Sequence, residues 1–170
     1  MKIGDQAWLQ GLHDVVAPRC DGPPLAVGLL WAQGLEAAIA EYNARRIYNA
    51  TAYDSGDVGG QHQYLRSMPD SGLATHVALA VTDTSVLAFE PKYEMSMLGR
   101  VKPPSIKKDL AAWPRAGLTV TVGPVGHASV VGFAVDGRPV VLEVAVTGER
   151  HELTIGVAPH DDHFLAVLTS

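Results

Sequence analysis

Apolar residues recur at helical spacing near the two ends of the chain. Near the start, Asp5 can cap a helix that runs to about Val16. Four apolar residues share one face of that helix: Trp8, Leu9, Leu12 and Val15. Near the end, Pro159 in a first turn followed by two acidic residues favours a helix start, and Phe164, Leu165 and Leu168 supply its apolar face. The pattern predicts an N-terminal and a short C-terminal helix.

The second half of the chain has the texture of β-structure. Runs of strand length are His76–Thr82, Thr84–Glu90, Met95–Val101, Leu118–Val122, Ser129–Val135, Pro139–Val146 and the alternating residues from Leu153 to Val157. Asp83 leaves room only for a tight turn, so the first two runs form a predicted hairpin. Asp136-Gly137 predicts a second hairpin, because both residues tolerate the positive φ of a primed turn.

The chain between residues 25 and 75 is less regular. Leu25–Trp31 is apolar and is either a buried strand or the start of a helix, since periodicity does not separate the two. Residues 35–47 have helical spacing. Residues 49–75 are polar and rich in glycine, which indicates a long loop of the kind that is functional or mobile.

Three segments resemble the pattern of bacterial pleckstrin-homology-like (PH-like) and GRAM-like domains. They are VALAVTDTSVLAFE (77–90), WPRAGLTVTVG (113–123) and GFAVDGRPVVLEV (132–144). The resemblance covers residues 76–168 and rests on strand texture and turn residues. It implies a binding or scaffold module, because well-known members of that family bind lipid head groups or peptides. The first 75 residues have no counterpart in the family.

The element order and this resemblance predict an α+β fold: an antiparallel PH-like β-barrel with a C-terminal helix, preceded by an N-terminal helical segment. At 170 residues the chain fits one compact unit. We expect residues 1–75 to form the helical segment and long loop packed on the body. Residues 76–170 then form the β-domain.

Charge is distributed unevenly along the chain. The net charge is −5, which argues against a general nucleic-acid binder. Residues 90–115 nevertheless hold six basic and three acidic residues, so that this segment is +3 and the rest of the chain −8. Such an island is either an ordinary solvated hairpin or an anion-binding face. The residues predicted to hold phosphate oxygens are Arg100, Lys102, Lys107 and Lys108.

Cysteine usage and hydropathy bear on the compartment. Cys20 is the single cysteine and cannot form an internal disulfide, as expected of a protein kept in a reducing compartment. The first residues lack the apolar core of a signal peptide, and no apolar run reaches the ~20 residues needed to span a bilayer. We therefore expect a cytoplasmic protein without a transmembrane segment.

Histidines and acids near the C-terminus offer an alternative chemistry. His160, Asp162 and His163 could present two imidazoles and a carboxylate to a metal ion, with a further ligand from His127 or His151. The competing interpretation is a polar helix start favoured by the helix dipole. The metal interpretation would make the protein a small metal-dependent hydrolase.

The main functional hypothesis is a non-enzymatic module without a cofactor. Its partner would be a protein, a peptide or an anionic lipid head group. A third hypothesis is a self-associating structural subunit, in which edge strands or the apolar run at 25–31 pair between copies.

Overall fold

Two helices and eight antiparallel strands make up the part of the chain that the computed structural model describes, residues 6–34, 71–92, 101–130 and 133–170. In chain order they are α1 (Gln6–Val16), β1 (Ala26–Ala32), β2 (His76–Val81), β3 (Ser85–Lys92), β4 (Ser105–Pro114), β5 (Leu118–Val122), β6 (Gly126–Val130), β7 (Phe133–Val144), β8 (Arg150–Ile155) and α2 (Pro159–Leu168). The fold is α+β, as predicted.

The strands follow the order β4-β3-β2-β1-β8-β7-β5, and β6 pairs with the first part of β7. Val122 of β5 faces Val140, and Gly126 of β6 faces Gly137. Between these two pairs, three residues on one side (123–125) oppose two on the other (138–139), so β6 continues β5 along the same edge of β7 after a one-residue irregularity. β1 lies between β2 and β8. The boundary predicted at residue 75 between the N-terminal segment and the β-domain therefore separates β1 from its neighbour β2, although both belong to one sheet.

One face of the sheet is covered by α1. The buried side chains of the helix, which include Trp8 and Leu12, pack on Ala78, Ala80 and Phe89 of β2 and β3. The small alanines let the helix approach the strands closely. This predicted helix is therefore confirmed, and its apolar face lies over the half of the sheet that β1 to β4 form.

The opposite face of the sheet carries the larger core, here called the α2 cluster. Its members come from β1–β4, β7, β8 and α2: Ala26, Leu30, Val77, Leu79, Val81, Val86, Ala88, Trp113, Val140, Leu142, Val144, Leu153, Ile155, Phe164, Leu165 and Leu168. Phe164 of α2 lies flat against Gly28 of β1, where a Cβ atom would stand 2.6 Å from its ring. The predicted C-terminal helix thus packs on the middle of the sheet.

The sheet curls strongly around the α2 cluster. Trp113 on β4 and His151 on β8 have ring centroids 5.5 Å apart. In a flat sheet strands four steps apart would be separated by about 19 Å. The two end strands, six steps apart, are also joined by a turn of three residues, Arg115–Gly117, which spans at most about 14 Å. The two ends therefore meet at this turn, although the sheet is not closed.

The turn predicted for the second hairpin, at Asp136-Gly137, is wrong. Asp136-Gly137 lies inside the continuous strand β7 and pairs with β6. A Cβ at Gly137 would stand 2.6 Å from the Thr154 methyl group and 3.5 Å from the Trp31 ring. The glycine is required there by the close approach of neighbouring strands, which a local turn rule does not register. The first predicted hairpin, between β2 and β3, is confirmed.

Other predicted elements have mixed outcomes. The apolar run at 25–31 is a strand, β1. The strand predicted at 95–101 and the helix at 35–47 lie outside the described residues, apart from Val101, which forms a single bridge. The sequence pattern missed most of β4, which runs for ten residues from Ser105.

Candidate functional site

The residues predicted to bind anions lie along β4, one of the two end strands. Arg100 is outside the described residues, and Lys102 is exposed in the segment that leads into β4. Lys107 and Lys108 both lie opposite Glu90 of β3, where a register shift places two residues against one. Lys107 donates a hydrogen bond of 2.6 Å to the Glu90 carboxylate. One of the predicted phosphate ligands is thus already paired with an acid of the neighbouring strand.

A second register shift distorts β4 two residues further on, between the pairs Ala88–Ala111 and Phe89–Asp109. Asp109 is paired with Arg19, which follows α1, at 2.7 Å. Bulges and charged side chains are the usual means by which an end strand is made unsuitable for pairing with another chain. The bulges and charges of this segment therefore make β4 a poor template for pairing with another chain.

The turn between β2 and β3 is bound to the loop after α1 by one carboxylate. Asp21 accepts hydrogen bonds from the hydroxyls of Thr82 at 2.9 Å, Thr84 at 2.9 Å and Ser85 at 2.6 Å. These hydrogen bonds, led by the one from Ser85, hold the pKa of the Asp21 carboxyl below its ordinary value. The cluster fixes the corner of the sheet at which β4 ends.

Arg115 completes this corner. Its guanidinium donates to the backbone oxygens of Val167 at 2.8 Å, Ser170 at 3.2 Å and Thr82 at 3.3 Å, and to the Ser170 hydroxyl at 3.0 Å. A cation at the C-terminal end of a helix satisfies carbonyls that have no partner inside the helix and complements its dipole. Arg115 therefore joins the turn after β4 to α2, which makes its role structural.

The predicted metal ligands at the start of α2 point to different partners. Asp162 forms an ion pair of 2.6 Å with Arg138 of β7, and His163 is exposed. Asp161 accepts a hydrogen bond from the Ala158 backbone N–H, and burial raises the pKa of its carboxyl. His160 lies 3.6 Å from that carboxylate. Across the described ranges, no group of three or more His, Cys, Asp or Glu side chains is placed to hold a metal ion.

Cys20 and His151 are engaged in the core rather than with each other. The Cys20 thiol donates to the Val16 carbonyl at 3.3 Å, and burial raises the pKa of the thiol, which disfavours the nucleophilic thiolate. His151 is buried against Trp113, with its Nδ1 atom 3.1 Å from the Ser71 carbonyl. The two residues stabilise packing at separate places.

The other end strand, β5, has no charged side chain and no register shift against β7. Backbone bonds on either side of it fix the direction of its polar groups: Ala145 N–H donates to Gly117, and Gly123 N–H donates to Pro139. Hydrogen-bonded and non-hydrogen-bonded residue pairs alternate along an antiparallel ladder. The backbone groups of Thr119 and Thr121 therefore bond to β7. The backbone groups of Leu118, Val120 and Val122 therefore point away from the sheet.

These outward groups form a short row of donors and acceptors. The Leu118 N–H is used by the preceding turn, where it bonds to the Arg115 carbonyl. Within the described part of the chain, no strand pairs with this edge of β5. The N–H groups of Val120 and Val122 and the carbonyls of all three residues are thus open to another strand. Strand periodicity predicted β5, but only the topology shows that it is an end strand.

A cleft of about 340 Å³ adjoins β5 on the face that carries the threonines. Its lining includes Thr119, Glu143, Glu149 and Arg150. Arg150 is hydrogen-bonded to Glu152 and Glu143, and these bonds raise the pKa of its guanidinium. Two glutamates therefore share one arginine, which leaves this side of β5 negative.

Comparisons with known proteins add no function to this geometry. No protein-family model, curated protein or solved structure matches the chain. Neither helix of the described ranges is long and apolar enough to cross a membrane. The chemical properties of the two sheet ends are therefore the basis for a functional proposal.

Proposed function

We propose that the chain is a non-enzymatic binding module that recognises a protein partner by pairing an extended segment of it with β5. The contrast between the two end strands carries this proposal. β4 is bulged twice and charged, whereas β5 is regular, uncharged and directs the backbone groups of Val120 and Val122 outward. Adding a strand to an open sheet edge is a recurring mode of peptide recognition.

We further infer a PH-like barrel that is open along a seam between β4 and β5. The curl of the sheet supports this architecture, as do the three-residue turn that joins its ends and the packing of α2 on β1. The resemblance of residues 76–168 to bacterial PH-like and GRAM-like domains agrees with it. In such a barrel the seam is the place where another chain can reach backbone groups.

Backbone pairing alone would give weak binding. The edge offers at most five backbone groups, each contributing about 0.5–1.5 kcal/mol net when bonded. Holding the partner in place costs at least about 4 kcal/mol. Side-chain contacts along the seam must therefore supply much of the affinity and nearly all of the specificity.

Anion binding by the β4 segment has less support among the described residues. Lys107 is paired with Glu90, and the nearby Asp109 carries an opposite charge. A lipid head group or phosphate would have to displace the glutamate from its lysine. An anionic lipid is therefore the competing partner.

The experiment is a selection of nine-residue peptides from a phage-displayed random library against the full chain. A selected peptide is then titrated against the unmodified protein, Val120→Pro and Val120→Thr. Proline removes the outward N–H, while threonine keeps it together with the branched side chain. We expect binding to fall at least about tenfold with proline, equivalent to about 1.4 kcal/mol, and to persist with threonine.

Three results would contradict the proposal. One is equal binding to all three proteins, which would place the peptide elsewhere. Another is failure to select any peptide while vesicles containing phosphatidylserine bind in a salt-dependent manner, which would favour the lipid function. The third is a concentration-dependent dimer that Val120→Pro abolishes, measured by sedimentation velocity, which would make a second copy the occupant of β5.

A further inference from the structure

We propose that the segment bound by β5 alternates apolar residues with lysine or arginine. This inference rests on the proposed function and specifies the chemistry of its partner. The apolar residues would lie on the α2 side of the sheet, and the basic residues on the side of Thr119 and Thr121. One face of β5 is apolar and the other is bordered by acidic residues, which matches the two faces of such a segment.

The alternation follows from the side chains of β5 itself. Leu118, Val120 and Val122 are half-buried and pack against the α2 cluster, whereas Thr119 and Thr121 are exposed. Residues directly opposite each other in a β-pair point their side chains to the same face. A strand added to β5 therefore places every second side chain beside the valines and the others beside the threonines.

The threonine side of β5 is bordered by acidic residues. Thr119 lies directly opposite Glu143 of β7, and both line the cleft together with Glu149. An added strand would lie on the far side of Thr119, two strand spacings or about 10 Å from β7. The aliphatic stem of a lysine or arginine can cross Thr119 and carry the charged group to the glutamates.

The charge at this place favours a cation over an anion. Glu143 and Glu152 share a single arginine, Arg150, so this group has one more negative than positive charge. The whole chain is also acidic, with a net charge of −5. A basic segment would be attracted to the seam, while an acidic segment of the same shape would be repelled.

The test uses three fluorescent seven-residue peptides and the full chain. The first alternates valine and lysine, the second alternates valine and glutamate, and the third has the composition of the first with its lysines grouped at one end. Anisotropy titrations are run at low and high salt. We expect the alternating lysine peptide to bind at least about tenfold more tightly than either of the others, with affinity falling as salt rises.

A matched pair of protein variants locates the charge that matters. Glu143→Gln and Glu152→Gln each remove one carboxylate partner of Arg150, but Glu143 is one strand from β5 and Glu152 is two. Lysine-peptide affinity should fall about threefold to fivefold in Glu143→Gln and less than twofold in Glu152→Gln, by the distance dependence of screened charges. Thermal unfolding of each variant checks that the fold is retained.

The outcomes separate this inference from the proposed function. If the glutamate peptide or the grouped peptide binds as tightly as the alternating lysine peptide, and Val120→Pro abolishes that binding, the charge inference is wrong and the proposed function stands. Equal effects of Glu143→Gln and Glu152→Gln would also overturn the inference. If no peptide responds to Val120→Pro, both proposals fail.

Discussion

β4 and β5 are consecutive in the chain and terminate the same sheet, yet their free edges are built differently. β4 has two register shifts and carries Lys107, Lys108 and Asp109, and the corner at its end is fixed by Arg115. β5 has a regular register and only leucine, valine and threonine. The difference makes β4 a poor template for pairing with another chain, whereas β5 has the regular, uncharged edge that the proposed partner strand needs.

The largest effect that tests this comparison comes from proline at neighbouring positions of β5. Thr121→Pro removes an N–H that bonds to β7, and we expect it to lower the free energy of unfolding by about 2–3 kcal/mol. Val120→Pro removes an outward N–H and should cost no more than about 1 kcal/mol. Urea denaturation of both variants makes the comparison. Equal losses would mean that the direction of the β5 backbone groups is assigned incorrectly.

The corner at the end of β4 should be the next most sensitive place. Arg115→Ala removes the guanidinium hydrogen bonds to the carbonyls of Val167 and Ser170, and leaves the Val167 carbonyl only the hydroxyl of Ser170 as a side-chain donor. We expect unfolding to become easier by about 2 kcal/mol, because hydrogen bonds to a charged group are among the stronger ones. Arg138→Ala, which breaks an ion pair with Asp162 near the other end of α2, should cost about 1 kcal/mol or less. A smaller loss in Arg115→Ala than in Arg138→Ala would contradict the structural role of this corner.

The Asp21 cluster predicts a pH dependence at the same corner. The folded-state pKa of Asp21 lies below its ordinary value of 3.8, because three hydroxyls donate to the carboxylate. Its contribution to stability is therefore present above that ordinary value and is lost as pH falls through the folded-state pKa. Thermal unfolding between pH 6 and pH 2 should show a shallower acid loss in Asp21→Asn than in the unmodified protein.

Asp161 serves as the control of opposite sign for the Asp21 experiment. Burial raises the folded-state pKa of Asp161 above the ordinary value of 3.8. Protonation of Asp161 therefore stabilises the folded state at low pH, and this contribution is lost as pH rises through the interval between those two values. Above that interval, Asp161→Asn should therefore show a smaller loss of stability than the unmodified protein. The same pH profile for both variants would contradict the two local environments described above.

The smallest expected effect on stability concerns the charges on β4. In Lys107→Thr with Lys108→Thr, one exposed ion pair is lost and β-propensity rises, so stability should change by less than about 1 kcal/mol. The association state should respond more, because an uncharged edge is more open to pairing between copies. Sedimentation velocity at two concentrations measures this. An unchanged monomer would indicate that the bulges alone protect β4.

Much of the fold could be predicted where local periodicity and burial agree. The helix at Gln6–Val16, the β2–β3 hairpin and the C-terminal helix all show this agreement. β4 was missed in large part because its bulges and its Lys107-Lys108-Asp109 run break the period of two that identifies a strand. Gly137 was misassigned to a turn because its role depends on Thr154, which approaches it from a neighbouring strand.

The candidate site was harder to predict because it depends on topology. The basic island was visible in the sequence, but the pairing of Asp109 with Arg19 joins residues that are 90 positions apart. The alternation of β5 was also visible. Its position at the end of the sheet, and the direction of its backbone groups, follow from which strands pair and in which register.

Amide hydrogen exchange of the protein without a partner tests the central claim most directly. If β5 has an open edge, the N–H groups of Val120 and Val122 should exchange rapidly, while those of Thr119 and Thr121, which alternate with them, are protected by β7. This alternation of fast and slow exchange would support an edge that is free to receive a partner. Protection of all four amides would show that something already pairs with β5, and it would contradict the account.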